Sequence, residues 1–118
     1  MNLPVQVTFH GISHSDGLEQ TIREHAEKLQ RFHPKLVSCR VVVEFAACHQ
    51  QRGKEFVVRL DIKVPGAELA VNHDHHEDVM VAVHQAFAAA KRRLEEHARR
   101  RRRLVERART GGHDSPAA

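Results

Sequence analysis

A chain of 118 residues with 41% hydrophobic residues can bury one modest core and is too short for two. No apolar window reaches the roughly 20 residues of a membrane helix. The Met1-Asn2-Leu3-Pro4 opening lacks the basic-then-apolar layout of an export signal, so a cytosolic protein with Cys39 and Cys48 reduced is expected. The formal charge of +4 is unevenly spread: residues 1–90 hold nine Lys or Arg against eleven Asp or Glu, whereas residues 91–109 hold ten against three. Positive charge is thus gathered toward one end, as a surface that meets polyanions requires.

In chain order, Leu3, Val5, Val7 and Phe9 recur at period two and predict a half-buried strand, which Gly11 to Ser15 end. Asp16 with Glu19 has the spacing of a capping box. Leu18, Ile22, Ala26 and Leu29 then mark the inner face of a helix closing near Phe32 to Pro34. Cys39, Val41, Val43 and Phe45 form a second alternating run, with Arg40, Val42 and Glu44 opposed. After a polar loop around Gln50 to Lys54, a third run follows in Phe56, Val58, Leu60, Ile62 and Val64. Pro65-Gly66 signals a tight turn into a short fourth strand at Leu69 and Val71.

Asp74 and Glu77 repeat the capping spacing ahead of Val79, Val83, Phe87, Ala90 and Leu94, which keep helical period. Helical composition continues to Arg109, a length of roughly 50 Å that a domain this size cannot cover. The inner face thins to Ala98, Arg101 and Val105, so the arginine run is expected to project past the core. Gly111 to Ala118 read as a tail. The predicted organisation is one domain over residues 1–109, with a long basic C-terminal helix and a disordered tail over 110–118.

The order predicts an α+β fold, β-α-β-β-β-α, with a four-stranded mixed sheet and two helices packed on one face. A crossover joins strands one and two, and hairpins join the rest, so only strand three runs against the others. The expected core includes Val5, Val7, Ile22, Leu29, Val41, Val43, Val58, Leu60, Ile62, Val71, Val83 and Phe87. The ends of strands one, two and four then share an edge. That edge collects His10, His14, Cys48, His49, His73, His75 and His76, opposite the end from which the arginines leave.

Lys91, Arg92 and Arg93, then Arg99, Arg100, Arg101, Arg102 and Arg103, then Arg107 and Arg109, form the basic run. Adjacent arginines on a helix point in every direction, and their repulsion costs stability unless a polyanion absorbs it. A solvated tail is the plain alternative. An anionic membrane surface fits less well, because the segment has no large apolar opposite face. Arg23, Lys28 and Arg31 on the first helix, with Lys35 beyond it, extend the basic surface, or else are ordinary helix charges paired with Glu24 and Glu27. The Phe residues sit in core phases, so no base-stacking platform is visible, and phosphate recognition by Arg is the expected mode. The segment His73 to Asp78 offers metal-ligand chemistry, but its spacing matches no established motif and also suits a polar helix cap. Ser13, His14 and Ser15 form no nucleophile elbow and no glycine-rich phosphate loop occurs, so no catalytic residue, cofactor or metal is assigned.

Two stretches, Ser15-Asp16-Gly17-Leu18 through Glu27-Lys28-Leu29-Gln30-Arg31-Phe32 and Glu77 to Val83 leading into Arg92-Arg93-Leu94, resemble the ribosome hibernation-promoting factor family. Its members are also called ribosome-associated inhibitors or ribosomal subunit interface proteins. The likeness covers nearly all of residues 3–103 and implies the same β-α-β-β-β-α order. It also implies a stress-related, cytoplasmic partner of the small ribosomal subunit that binds ribosomal RNA in the messenger and transfer RNA channel and inhibits translation. By position the contacts would come from Arg23, Lys28, Arg31 and Arg92, with Lys91, Arg93 and Arg99 to Arg103 extending the same side. Relatives often have Tyr and Asp where this chain has Met80 and His84, and Ala88 to Ala90 replace part of a usually charged stretch. Neither the dimerisation domain of long members nor a cold-shock domain follows, so ribosome pairing through such a domain is not expected. The competing readings are a double-stranded-RNA or general nucleic-acid module and a metal-binding protein using the histidine edge. The first of these places its Lys cluster at the start of the last helix, which here is acidic and His-rich.

Overall fold

The computed structural model describes residues 3–47, 54–72 and 76–114. Its elements are β1 (Val5–His10), α1 (Asp16–Phe32), β2 (Ser38–Ala47), β3 (Lys54–Val64), β4 (Ala67–Asn72) and α2 (Val79–Asp114). The sheet order is β1-β2-β3-β4. The β1–β2 pair is parallel and the other two are antiparallel, so β3 alone runs against its neighbours. The α+β architecture read from the sequence is therefore the one found.

Register explains why the sheet has one apolar side. Val7 lies beside Val41, Val41 beside Leu60, and Leu60 beside Val71. A second row runs Val5, Cys39, Ile62, Leu69 in the same way. Because the side-chain period is two, these rows all project to the face that α1 and α2 cover. The alternate row Gln6, Arg40, Asp61, Ala70 projects to the open face. Arg40, Arg59 and Lys63 there face Glu44, Glu55, Asp61 and Glu68, and Arg59 approaches Glu44 at 3.9 Å. The open face is thus close to neutral.

Ile22, Ala26, Val41, Val43, Val58, Ile62, Ala82, Val83, Ala86 and Ala90 are completely buried. Alanines at the helix contacts let the α2 backbone approach its neighbours closely. Val5 and Val7, expected in the core, are only half-buried. They lie on an edge strand, which has a pairing partner on one side only and rests mainly under α1. The Cys39 thiol is buried and its pKa is pushed up to about 12, by burial first and the Asp61 charge second. It is a small core side chain rather than a reactive thiol.

Both helix starts differ from the expected caps by position. Ser15, not Asp16, caps α1, its Oγ accepting from the Leu18 amide at 3.2 Å. Asp16 lies in the first turn, where its charge suits the positive helix end. At α2 the cap is Asp78, whose Oδ1 accepts from the Met80 and Val81 amides at 2.8 and 3.3 Å. Asp74 lies outside the described residues. Residues 110–114, expected in a tail, continue α2 as far as Asp114, and residues 115–118 lie outside the described residues. Glycine lowers helix propensity by about 1 kcal/mol but still donates its backbone bond, so Gly111 and Gly112 do not stop the helix as a proline would.

Gly66 takes the left-handed conformation that the turn after Pro65 demands, with φ of +81°. Gly11 has φ of +76°, and a Cβ there would lie 2.5 Å from the Phe45 carbonyl oxygen. The end of β1 therefore needs glycine on two separate grounds.

Candidate nucleic-acid interface

The 36 residues of α2 span about 54 Å, close to the 61 Å long dimension of the molecule. Its packing ends at Leu94: Ala98 is half-buried, Leu104 is 61% exposed and Val105 50%. Arg99 through Arg103 are all exposed. Arg100 pairs with Glu96 one turn back. Arg101 reaches the β3–β4 turn, its Nη1 donating to the Pro65 carbonyl at 3.4 Å. That turn lies at the sheet end opposite His10, so the arginines leave from the end expected.

The other sequence-derived basic residues divide into two groups. Arg23 is engaged within the fold. Its Nε and Nη2 donate to Glu19 at 3.0 and 2.9 Å, and its Nη1 donates to the Val5 carbonyl at 3.0 Å, covering part of the β1 edge. Its ion-pair partner is thus Glu19 rather than Glu24 or Glu27. Lys28 and Arg31 are exposed on α1. Lys28 and Lys91 share a small hollow between the helices with His25, His84 and Phe32. There the His25 ring stacks on Phe87 at 5.1 Å, with His84 edge-on at 5.9 Å. Burial lowers the His25 pKa, and the neighbouring His84 and Lys28 charges add to that shift. Arg92 and Arg93 follow Lys91 at steps of about 100° and turn away from this hollow.

A larger groove of about 1060 Å³ opens where α2 passes the α1–β2 connection and the Pro65 turn. Lys35, His33, His97, Arg99, Arg101 and Arg102 line it over a floor that includes Leu36, Val64 and Leu94. The fold therefore brings Lys35, expected to extend the basic surface, together with three arginines from a segment more than sixty positions away.

Phe32, expected in a core phase, is instead 61% exposed. The inner stripe of α1 has its centre near Leu29, and at 100° per residue His33 falls about 25° from it while Phe32 falls about 75° off. Lys91 Nζ sits 3.9 Å above the exposed ring.

Of the expected histidine edge, His10, His14 and His76 fall within the described residues. His14 approaches Glu19 and Asp16 at 2.7 and 3.6 Å, and His76 Nδ1 accepts from the Asp78 amide at 3.0 Å. Among the described residues no three His, Cys, Asp or Glu side chains are grouped for a metal. Cys48, His49, His73 and His75 lie outside them. Among the described residues no helix is long and apolar enough to cross a membrane.

A family model described as "Sigma 54 modulation protein / S30EA ribosomal protein" matches residues 5–102, which is every element of the sheet and α2 through most of the arginine run. The chain belongs to this family. The S30EA fold is also that of a ribosomal subunit interface protein from Coxiella burnetii, at TM-score 0.68 and 14% identity over 81% of this chain and 98% of that one. The Protein Y N-terminal domain of Thermus thermophilus is similar at TM-score 0.62 and 12% identity, over 82% and 99%. No curated protein matches the sequence. At such identities the structural likeness speaks for the fold, and the S30EA membership for the ribosomal connection.

Proposed function

We propose that this protein binds the small ribosomal subunit by holding ribosomal RNA phosphates, and that it thereby inhibits translation or preserves idle ribosomes under stress, without catalysis. Membership of a ribosomal-protein family supports the ribosome as partner. The observation that carries the RNA reading is the charge distribution over the fold. The open sheet face is close to neutral, while the helices' end and the unpacked stretch of α2 hold ten Lys or Arg against three Glu over residues 91–109. Guanidinium groups there suit phosphate oxygens, whose charge would relieve their mutual repulsion. Lys28, Arg31, Lys91, Arg92, Arg93 and Arg99 to Arg103 are the proposed contacts. Arg23 is proposed to brace β1 and to contribute at most its outer edge.

The test is co-sedimentation with separated ribosomal subunits across a salt series. If about six side chains neutralise phosphates, the log–log salt slope is roughly −4 to −5. Binding then weakens roughly 250- to 1,000-fold between about 50 and 200 mM salt. Replacing Arg99 to Arg103 together by Gln keeps the helix and flattens that slope. Unchanged affinity and slope in the Gln variant would reduce the run to a solvated helix end.

A further inference from the structure

We propose that Phe32 is a stacking platform for an unpaired nucleobase, set between two groups of phosphate-binding cations. The proposal rests on the reading of this face as an RNA interface and names the form of RNA it takes. Phe9, Phe45, Phe56 and Phe87 are buried or half-buried, so Phe32 is the exposed phenyl among the described residues. Exposure of one apolar side chain is ordinary and would carry nothing by itself. Its surroundings carry the argument. Lys91 Nζ covers one face of the ring at 3.9 Å, and Lys91 belongs to the small hollow with Lys28. Phe32 also lines the large groove, which Lys91 does not, together with Lys35, Arg99 and Arg102. The ring is therefore a wall between two basic concavities, with a cation already on one side.

That is the arrangement single-stranded nucleic acid requires. Cations follow the phosphates while an aromatic face receives a base, and every base has a π-face to offer. A duplex keeps its bases stacked on one another and presents only phosphates and groove edges to such a surface. The ammonium over the ring holds it in place by cation–π attraction and keeps it from folding onto the α1–α2 seam. A purely structural role, in which Phe32 and Lys91 latch the two helices, makes no distinction between single-stranded and duplex RNA. The two roles thus differ in a measurable way.

The experiment uses the full chain with two fluorescent probes. One is a short RNA strand without self-complementarity carrying a 2-aminopurine, and the other is the same strand annealed to its complement. Wild type, Phe32→Leu and Phe32→Trp are titrated with each at low salt, and thermal melting checks that all three remain folded. Phe32→Leu weakens binding of the single strand roughly 5- to 150-fold, the equivalent of one lost base stack. Its duplex affinity and salt slope stay at the wild-type level. Phe32→Trp keeps the single-strand affinity, and the 2-aminopurine signal changes on binding to wild type and Trp but not Leu. An equal loss on both probes, or no loss on the single strand, overturns the platform and leaves a helix latch. Parallel sedimentation with small subunits keeps the readings apart: wild type that fails to sediment removes the ribosome as partner, while the probe comparison still decides the ring.

Discussion

The two halves of α2 share one helical backbone and nothing else. From Val79 to Ala90 it carries no Lys, Arg, Asp or Glu, and Ala82, Val83, Ala86, Phe87 and Ala90 are buried against the sheet and α1. Beyond Leu94 it carries seven arginines through Arg109, and its large apolar groups Leu104 and Val105 are at least half exposed. Arg, Leu, Glu and Ala are good helix formers, so propensity continues the helix where packing stops. The difference teaches that the outer half is not retained for the fold. Arg99 and Arg103 are one turn apart, an arrangement that costs about 0.2–0.5 kcal/mol per like-charged pair in isolation. A partner's anions offset that cost; a bare solvated helix does not.

The largest effects test whether the boundary at Leu94 is real. Phe87→Ala should lower the unfolding free energy by about 3–5 kcal/mol, and Leu60→Ala in the middle of the sheet by about 2–5 kcal/mol. Val105→Ala should change it by less than about 0.5 kcal/mol, as at an ordinary surface position. Urea denaturation at one pH compares all three. A loss above about 1 kcal/mol for Val105→Ala would mean that the outer half packs on something in solution, and the contrast would collapse.

Legibility followed the same boundary. The strands of the packed half were readable because period-two patterning and the Pro65-Gly66 turn each select a single register. The end of packing at Leu94 was readable because the apolar stripe visibly stops there. Three things were not. The caps moved to Ser15 and Asp78 because each start offers more than one capping residue, Ser15 beside Asp16 at α1 and Asp78 four positions after Asp74 at α2, and any of them can accept an amide. The burial of Val5 and Val7 depended on β1 being an edge, which no single strand announces. The meeting of Lys35 with Arg99, Arg101 and Arg102 depended on the angle at which α2 passes the sheet end, a property of tertiary packing.

A middle-sized effect sharpens the comparison from the other end of α2. Asp78→Ala removes the acceptor of the Met80 and Val81 amides. It should cost about 1 kcal/mol, within the roughly 0.5–2 kcal/mol of such caps. Because the start of α2 packs on β3 and β4, that loss should appear in global denaturation. Asp78→Asn keeps the acceptor and should recover most of it. If Asp78→Ala instead left denaturation unchanged while helical circular dichroism fell, the first turn would fray independently of the core.

The smallest effect concerns the seam between α1 and the packed half of α2. His25 is half-buried against Phe87 and edge-on to His84, with Lys28 and Glu24 on its own helix. Burial holds its pKa below the ordinary 6.5, His84 and Lys28 push it the same way, and Glu24 opposes them. His33 is lowered as well, by burial first, with Lys91 assisting and Glu95 opposing. Its Nε2 is buried without a hydrogen-bond partner among the described residues, so a proton there would lack an acceptor. Both histidines therefore bind fewer protons folded than unfolded once the pH drops below about 6.5. Stability rises with pH wherever the unfolded chain binds more protons. The contribution of this pair is complete above about 6.5 and is lost as the pH falls toward their folded values. Urea midpoints measured between about pH 7 and 5, above the carboxylate range, isolate the effect. The double variant His25→Gln, His33→Gln should lose less stability on acidification than wild type, the other histidines being common to both. An equal or steeper loss in the double variant would mean the seam is as wet as the arginine half, and burial would no longer separate the two.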